Sequence, residues 1–532
     1  MKTGALPWRP LLVFTAAFLF LNVLLNFDYP ANRWLSWQLL QPSVDVWLLL
    51  VFLAVAACCG KRSLFWTSLA VWTLFMALRL FRIGDTAVPM YLNRPFNLYI
   101  DSGYLFDLYD LLRTSARQGN FLLLSATALT AGLGVMASSW YAWRAAAGVL
   151  TYRRFRTLFL GASGLILGIV LIRGWPSPEP PALIRLGQEV FSIQDQLRQE
   201  QAFLARLKKT ARDRTGGPDS LKGLEDADVL LFVIESYGRT VLSRPRYRTA
   251  MEATMSRFAD ILGRHSFEAV SSYLVSPTYG GSSWLAHGTL ESGLRVENDL
   301  QDADLLRSSL PPLATYFRRN GYRTVSVMPG SRFPFPQGAY FGYEQVYYAR
   351  HFGYRGPTFG WAPMPDQFVL DWVRRREFTR HDQPLFVRYV LISSHAAFNI
   401  QPPFIPDWDR IGDGSIYNDL APVYYPIYWP DLTNAGEAYL RSLDYEFTTL
   451  GDYLSRYVAP GTLVIILGDH QPNLQLTEAD EPWSVPVHVI SGDSRLLDPF
   501  RKRGYTPGLI PAQPSPYAGM ETFLQGFLQD FE

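Results

Sequence analysis

Residues Val229–Gly238 read VLLFVIESYG, six apolar side chains in a row followed by a carboxylate. An unbroken run of this kind fits a strand buried on both faces, as in a parallel sheet covered by helices. Further short apolar runs follow at Thr324 to Met328, Leu385 to Leu391, Leu463 to Leu467 and Val485 to Ile490. Between them lie stretches with helical spacing: Tyr247 to His265, Leu310 to Asn320, Gln367 to Arg376 and Ala435 to Tyr457. The alternation predicts an α/β domain with a mainly parallel sheet over residues 224–532, enough chain for one large core. Two Tyr/Pro-rich stretches, Arg332 to Tyr348 and Pro422 to Pro430, read as long ordered loops.

Toward the N-terminus the composition changes. Charged residues make only 18% of the 532-residue chain against 48% hydrophobic, where about 25% charged is usual. Long apolar tracts must therefore exist, and a wholly soluble or disordered chain is disfavoured. A membrane-spanning helix takes about 20 apolar residues. Five tracts are read as spans: Leu11 to Phe27, Val44 to Cys59, Leu64 to Phe81, Phe121 to Trp143 and Phe155 to Ile172. Together they predict a five-helix transmembrane domain over residues 1–174. With the N-terminus in the cytoplasm, the inside segments carry Lys2, Arg9, Lys61, Arg62, Arg144, Arg153, Arg154 and Arg156. The positive-inside rule then places everything after Ile172 outside the cytoplasm. An amphipathic helix, either interfacial or packed on the bundle, is expected between Tyr104 and Leu112, within the loop from Arg82 to Asn120.

Residues 175–223 read as a linker. Trp175 to Pro181 (WPSPEPP) cannot continue a helix. Val190, Ile193, Leu197, Leu204 and Leu207 then mark an amphipathic connecting helix, broken at Thr215 to Asp219. The formal net charge of +2 gives no general reason to bind nucleic acid. Cys58 and Cys59 are the only cysteines and lie in an apolar run, which excludes thiolate metal sites in the soluble part. Any metal must be held by oxygen and nitrogen ligands.

Ligands of open α/β sheets gather beyond the carboxyl ends of strands. Three polar groups occur there: Glu235 in VLLFVIESYG, Asp469 and His470 in TLVIILGDHQPN, and His395 in LISSHAAFN. Each alone could be a cap or an ion-pair partner. Two carboxylates, a histidine and a hydroxyl together match a hydrolytic divalent site without thiolates. The hydroxyl would come from SPTYGGSSWLAHGTLESG, Ser276 to Gly293, where Ser282 and Ser283 precede a helix-like run. One of the pair is read as a helix cap and the other as a nucleophile favoured by the helix dipole.

In order along the chain these are strand-Glu-Ser, a Gly-rich turn with a hydroxyl opening a helix, strand-Ser-His, and strand-Gly-Asp-His. With the preceding spans, the chain resembles the membrane-anchored sulfatase-like branch of the alkaline phosphatase superfamily. The nearest architecture is that of lipoteichoic acid synthase-like phosphoglycerol transferases, with phosphoethanolamine transferases further off. The resemblance implies one divalent ion, Mn or Zn, held by Glu235, Asp469, His470 and the nucleophilic hydroxyl. It implies a substrate-side role for His395 and a phosphate contact for Arg332. In sulfatases the nucleophile lies ten residues before the glycine of a Thr-Gly pair, and the same count back from Gly293 falls on Ser283, with Ser282 as the alternative.

Two departures bear on substrate. The transferases carry threonine where this chain has serine. Formylglycine sulfatases need Pro and Arg where Leu285 and His287 follow Ser283, which argues against sulfate ester hydrolysis. The implied activity is transfer of a phospho-headgroup, of phosphoglycerol or phosphoethanolamine type, from a membrane phospholipid to an envelope glycan or lipid acceptor through a covalent serine intermediate. The implied location is a bacterial cytoplasmic (inner) membrane, with the catalytic domain extracytoplasmic. The alternatives are a catalytically silent lipid-binding regulator of envelope assembly and a phosphodiesterase or phosphatase with water as acceptor.

Overall fold

A computed structural model describes residues 8–27, 39, 41–101, 118–173, 181–214, 220–332, 335–378, 382–427, 432–478, 480–512 and 516–532. The chain divides into two compact units, Met1–Met90 with Arg94–Arg198, and Tyr91–Asn93 with Gln199–Glu532.

In the first unit all five apolar tracts are helical: Trp8–Asn26, Val44–Ala56, Lys61–Leu92, Gln118–Leu150 and Arg153–Arg173. Among the described residues two helices, Trp8–Asn26 and Lys61–Leu92, are long and apolar enough to cross a membrane, where the sequence suggested five spans. Val44–Ala56 has 13 residues, about 20 Å at 1.5 Å per residue, short of a ~30 Å hydrocarbon core. The five helices turn large apolar side chains outward, among them Leu12, Phe52, Leu80, Leu129 and Leu165, and bury Asn22, Ser68, Ser139 and Ser163. That is the reverse of a water-soluble bundle. Buried Asp45 accepts from the backbone N–H groups of Ala182 (3.0 Å) and Leu183 (3.0 Å), capping the long helix Ala182–Arg214. The Pro-rich segment just before it, the break at Thr215 to Asp219 and the helix expected between Tyr104 and Leu112 lie mainly outside the described residues.

The second unit is built on a nine-stranded sheet. Its strands are β1 (Val229–Ile234), β2 (Glu268–Val275), β3 (Arg323–Met328), β4 (Gln345–Tyr348), β5 (Leu385–Leu391), β8 (Leu463–Gly468), β9 (Ser484–Ser491), β10 (Thr506–Pro507) and β11 (Ala518–Gly519). A separate two-stranded ribbon pairs β6 (Ile400–Gln401) with β7 (Val423–Tyr424). Five neighbours, β8-β1-β5-β3-β4, run parallel, while β9 is antiparallel to β8 and to β2. Every residue of β1, β8 and β9 is buried, which is why their sequences lack alternation. Two apolar clusters fill the faces, one around Phe232, Tyr389 and Tyr453, the other around Phe317, Phe386 and Phe527.

The stretch Arg332 to Tyr348 is not one long loop, since it contains the helix Pro336–Phe341 and β4. Part of Pro422 to Pro430 forms β7, and residues 428–430 lie outside the described residues.

Candidate active site

Register builds the site. Ile234 of β1 sits opposite Leu391 of β5 and Gly468 of β8, so the three central strands end at one level. Glu235, Ile392 and Asp469 therefore leave the sheet side by side. Gly468 is required at that level, because a Cβ there would come within 1.9 Å of the Tyr237 carbonyl oxygen.

Glu235, Asp469 and His470 are buried, and one ligand atom from each lies within 4.8 Å of the others. His470 Nε2 is 3.3 Å from Glu235 Oε1 and 3.6 Å from Asp469 Oδ2. Ser283 closes the group: its Oγ lies 3.0 Å from Glu235 Oε2 and 3.1 Å from His470 Nε2. Ser283 is the first residue of the ten-residue helix Ser283–Ser292, so the positive end of the helix dipole faces the cluster. Ser282 precedes it with φ 59° and makes no side-chain capping bond. The Ser283 hydroxyl thus meets both Glu235 and His470.

Surrounding groups fix the orientation of these side chains. Asp469 Oδ1 accepts from the N–H groups of Ser236 (2.8 Å) and His470 (2.7 Å), which leaves Oδ2 toward the cluster. His470 Nδ1 donates to the Gln471 carbonyl at 2.7 Å, so Nε2 presents its lone pair inward. Gln471 is itself held, its Oε1 accepting from Thr240 N–H (3.2 Å) and its Nε2 donating to Pro482 O (2.8 Å). Tyr439 donates to the Ser236 carbonyl at 2.7 Å.

Two carboxylates and an imidazole this deeply buried need a cation or protons. Burial and then the charge of Glu235 push the Asp469 carboxyl up to about 7. Burial opposes a charged His470, yet the charges of Asp469 and Glu235 lift it to about 9. Burial also disfavours an ionised Glu235, but the charge of His470 outweighs it and holds the carboxyl below its usual range. Without a metal, protons thus sit where a cation would. The donor set, hard oxygens with one oriented imidazole nitrogen and a hydroxyl, fits a single divalent ion.

His395 lies at the rim, partly buried, four residues beyond β5. Its Nδ1 donates to Ala396 O at 2.6 Å and leaves Nε2 available. Ser394 Oγ donates to the Glu235 carbonyl at 2.6 Å, tying this turn to the end of β1. Arg332 lies exposed beyond the carboxyl end of β3, next but one to β1 in the sheet. His488 belongs to the core of β9. It lies between Tyr237 Oη (3.0 Å) and Ser271 Oγ (2.7 Å), and burial drives its pKa down to about 3.

Three features were not legible in the sequence. Gln471 adjoins the Asp-His pair, but its contacts depend on residues far along the chain. Asp366, which opens the helix Asp366–Glu377, accepts through Oδ2 from the N–H groups of Ile392 (2.7 Å) and Ser393 (2.6 Å), gripping the turn that carries His395. Trp361 packs over His395, with ring centroids 5.1 Å apart.

No protein-family model matches the chain, and neither does any curated protein. Solved structures do. Lipooligosaccharide phosphoethanolamine transferase A from Neisseria meningitidis, an integral membrane protein, matches over 97% of each chain at 12% identity and a TM-score of 0.46. The lipoteichoic acid synthase LtaP from Listeria monocytogenes matches over 60% of this chain and 76% of its own, at 12% identity and a TM-score of 0.38. The Streptococcus pyogenes phosphoglycerol transferase GacH, solved with sn-glycerol-1-phosphate, matches over 63% and 91%, at 11% identity and a TM-score of 0.37. At these identities and scores the likeness gives no residue a role.

Proposed function

We propose that the protein is a metal-dependent transferase that moves a phospho-headgroup from a membrane phospholipid to an extracytoplasmic glycan or lipid acceptor. One observation carries this reading: a serine hydroxyl at a helix N-terminus within 3.1 Å of both a buried carboxylate and a buried imidazole. A phosphate needs such a site, with an activated nucleophile and positive potential from backbone N–H groups. The headgroup is of phosphoglycerol or phosphoethanolamine type.

In this reading Glu235, Asp469, His470 and Ser283 hold one divalent ion, Mn or Zn. Bound there, the ion supplies Lewis-acid chemistry that favours the serine alkoxide and offsets phosphoryl charge. Ser283 Oγ, its proton released to solvent, attacks the phosphorus of the lipid phosphodiester. A Ser283 phosphoester forms, the bond from phosphorus to the diacylglycerol oxygen breaks, and that oxygen takes a proton. His395 Nε2 is the rim group suited to give it. In the second half the acceptor hydroxyl attacks the same phosphorus and its proton passes to His395. The Ser283 Oγ–P bond breaks, restoring the serine. Arg332 contacts a phosphoryl oxygen of the bound donor.

The outward apolar faces of the first unit support a membrane anchor within residues 1–174, joined by residues 175–223 to an extracytoplasmic catalytic domain (224–532). A tethered site of this kind meets donors that diffuse in the bilayer plane. The enzyme then lies in a bacterial cytoplasmic membrane.

Mass spectrometry tests the proposal. Purified protein incubated with headgroup-labelled phosphatidylglycerol or phosphatidylethanolamine should carry a phospho-headgroup adduct on Ser283. Retained turnover in a Glu235→Ala, Asp469→Ala double variant would overturn it.

A further inference from the structure

Trp361 is half exposed, at 50% of its surface, yet its backbone is firmly held. Phe359 and Ala362 exchange backbone hydrogen bonds, Phe359 N–H to Ala362 O at 2.9 Å and Ala362 N–H to Phe359 O at 3.0 Å. They close a two-residue turn with Trp361 at its tip. Gly360 supplies the φ of +60° that the turn needs. Both flanking residues are buried, and the Phe359 ring meets Tyr417 edge-on at 5.9 Å. The turn is therefore anchored from both sides, and the indole is presented rather than left loose. One side of the indole lies against the His395 imidazole, with the rings tilted by 31°.

Single exposed apolar residues are ordinary on protein surfaces. This one differs in its position, since it adjoins the histidine to which the second half-reaction delivers its proton. Its surroundings are mixed rather than apolar: His395 on one side, and Asn399 Oδ1 within 3.6 Å of where a Cβ on Gly360 would lie. An acyl chain needs a continuous apolar lining. A pyranose ring offers a C–H face to an aromatic ring and hydroxyls to the polar groups beside it.

We infer that Trp361 selects the acceptor, its open indole surface stacking on a pyranose ring of a saccharide whose hydroxyl is thereby placed at His395. This rests on the transferase reading above and narrows its acceptor from glycan or lipid to glycan. Transfer to sugar and loss to water both consume the Ser283 phosphoester, so their ratio isolates acceptor recognition from donor cleavage.

The test uses the full chain in vesicles containing labelled phosphatidylglycerol or phosphatidylethanolamine. Methyl β-D-glucopyranoside, methyl N-acetyl-β-D-glucosaminide and maltotriose serve as acceptors, with a long-chain alcohol as the lipid control. In Trp361→Ala the ratio of sugar transfer to hydrolysis should fall at least tenfold with a raised acceptor KM, and Trp361→Phe should restore most of it. An unchanged ratio in Trp361→Ala, or wild-type transfer to the alcohol and to none of the sugars, overturns the inference. If wild-type protein releases no diacylglycerol at all, the transferase reading is what fails. Saturation-transfer NMR on the same sugars then decides the saccharide site alone: wild-type signal lost in Trp361→Ala supports it, and equal or absent signals refute it.

Discussion

Ser283 Oγ and Glu235 Oε2 lie 3.0 Å apart although 48 residues separate them in the chain. The contact exists because β1 delivers Glu235 to the carboxyl end of the sheet, where the helix Ser283–Ser292 begins. Its neighbour Ser282 has a left-handed backbone and stands immediately before the helix. Ser283→Ala should therefore lower turnover by about a thousandfold or more, as removal of a nucleophile does. Ser282→Ala should cost less than about tenfold. Initial rates of diacylglycerol release measure both, and equal losses would mean that the nucleophile has been misassigned.

Metal affinity should depend steeply on pH. In the metal-free protein His470 titrates near 9 and Asp469 near 7, both raised. A proton on His470 occupies Nε2, the nitrogen the cation needs, and must leave on binding. Affinity for Mn or Zn should therefore rise by up to about tenfold per pH unit for each proton displaced, levelling off above pH 9. Titration calorimetry in buffers of different ionisation enthalpy would count the released protons. A pH-independent affinity between pH 6 and 8 contradicts the assignment of His470 as a ligand.

Gln471 should matter without touching substrate. Its backbone carbonyl takes the His470 Nδ1 proton, while its side chain bridges Thr240 and Pro482. Gln471→Ala keeps the carbonyl but releases the bridge, and should weaken metal binding about 10–100-fold, the usual cost of losing such support. Metal titration followed by activity at saturating metal separates the two effects. Recovery of most turnover at high metal is expected, whereas a loss unaffected by metal would indicate a direct catalytic role.

How much of this could be read in the sequence depended on how local each signal was. Glu235 and Asp469 were visible because the preceding runs, Val229–Ile234 and Leu463–Leu467, are too apolar to be anything but buried strands. The first polar residue after such a strand has to emerge at the sheet edge. β2 was missed because it mixes buried and partly exposed positions, with Ser271 and Ser272 interrupting its apolar pattern. The grip of Asp366 on the His395 turn, 26 residues away, depends on how a helix packs beside β5. Nothing local in DQFVLDW encodes that contact. The five apolar tracts were clear as helices, and among the described residues Trp8–Asn26 and Lys61–Leu92 are both long and apolar enough to cross a membrane.

The same buried Asp366 makes a stability prediction. Glu446, from the helix Gly436–Tyr457, faces it, and burial followed by the charge of Asp366 raises the Glu446 carboxyl well above its usual range. Its folded-state pKa exceeds its unfolded value of about 4.3. The stability it contributes is thus complete below that value and is lost as pH rises toward the folded pKa. Glu446→Gln keeps a donor for Asp366 and removes the ionisation. The variant should be more stable than wild type at pH 8, by about 1 kcal/mol or more, and the gap should narrow at pH 5. Thermal unfolding followed by tryptophan emission would reveal it. A variant less stable at pH 8 would show that Glu446 is ionised and paired in the native protein.

Topology is open to direct chemical test, because the only cysteines sit at an informative place. Cys58 and Cys59 are exposed and stand next to Lys61 and Arg62, in a segment that the positive-inside rule assigns to the cytoplasm. Asp409, in the second unit, is strongly exposed. In intact spheroplasts a membrane-impermeant maleimide should leave wild-type protein unlabelled until the membrane is permeabilised. A Cys58→Ser, Cys59→Ser, Asp409→Cys variant should label at once. An odd number of spans between the two positions is the only arrangement that yields this contrast. Labelling of Asp409→Cys only after permeabilisation would place Glu235, Asp469 and His470 on the cytoplasmic side and would remove the extracytoplasmic acceptor from consideration.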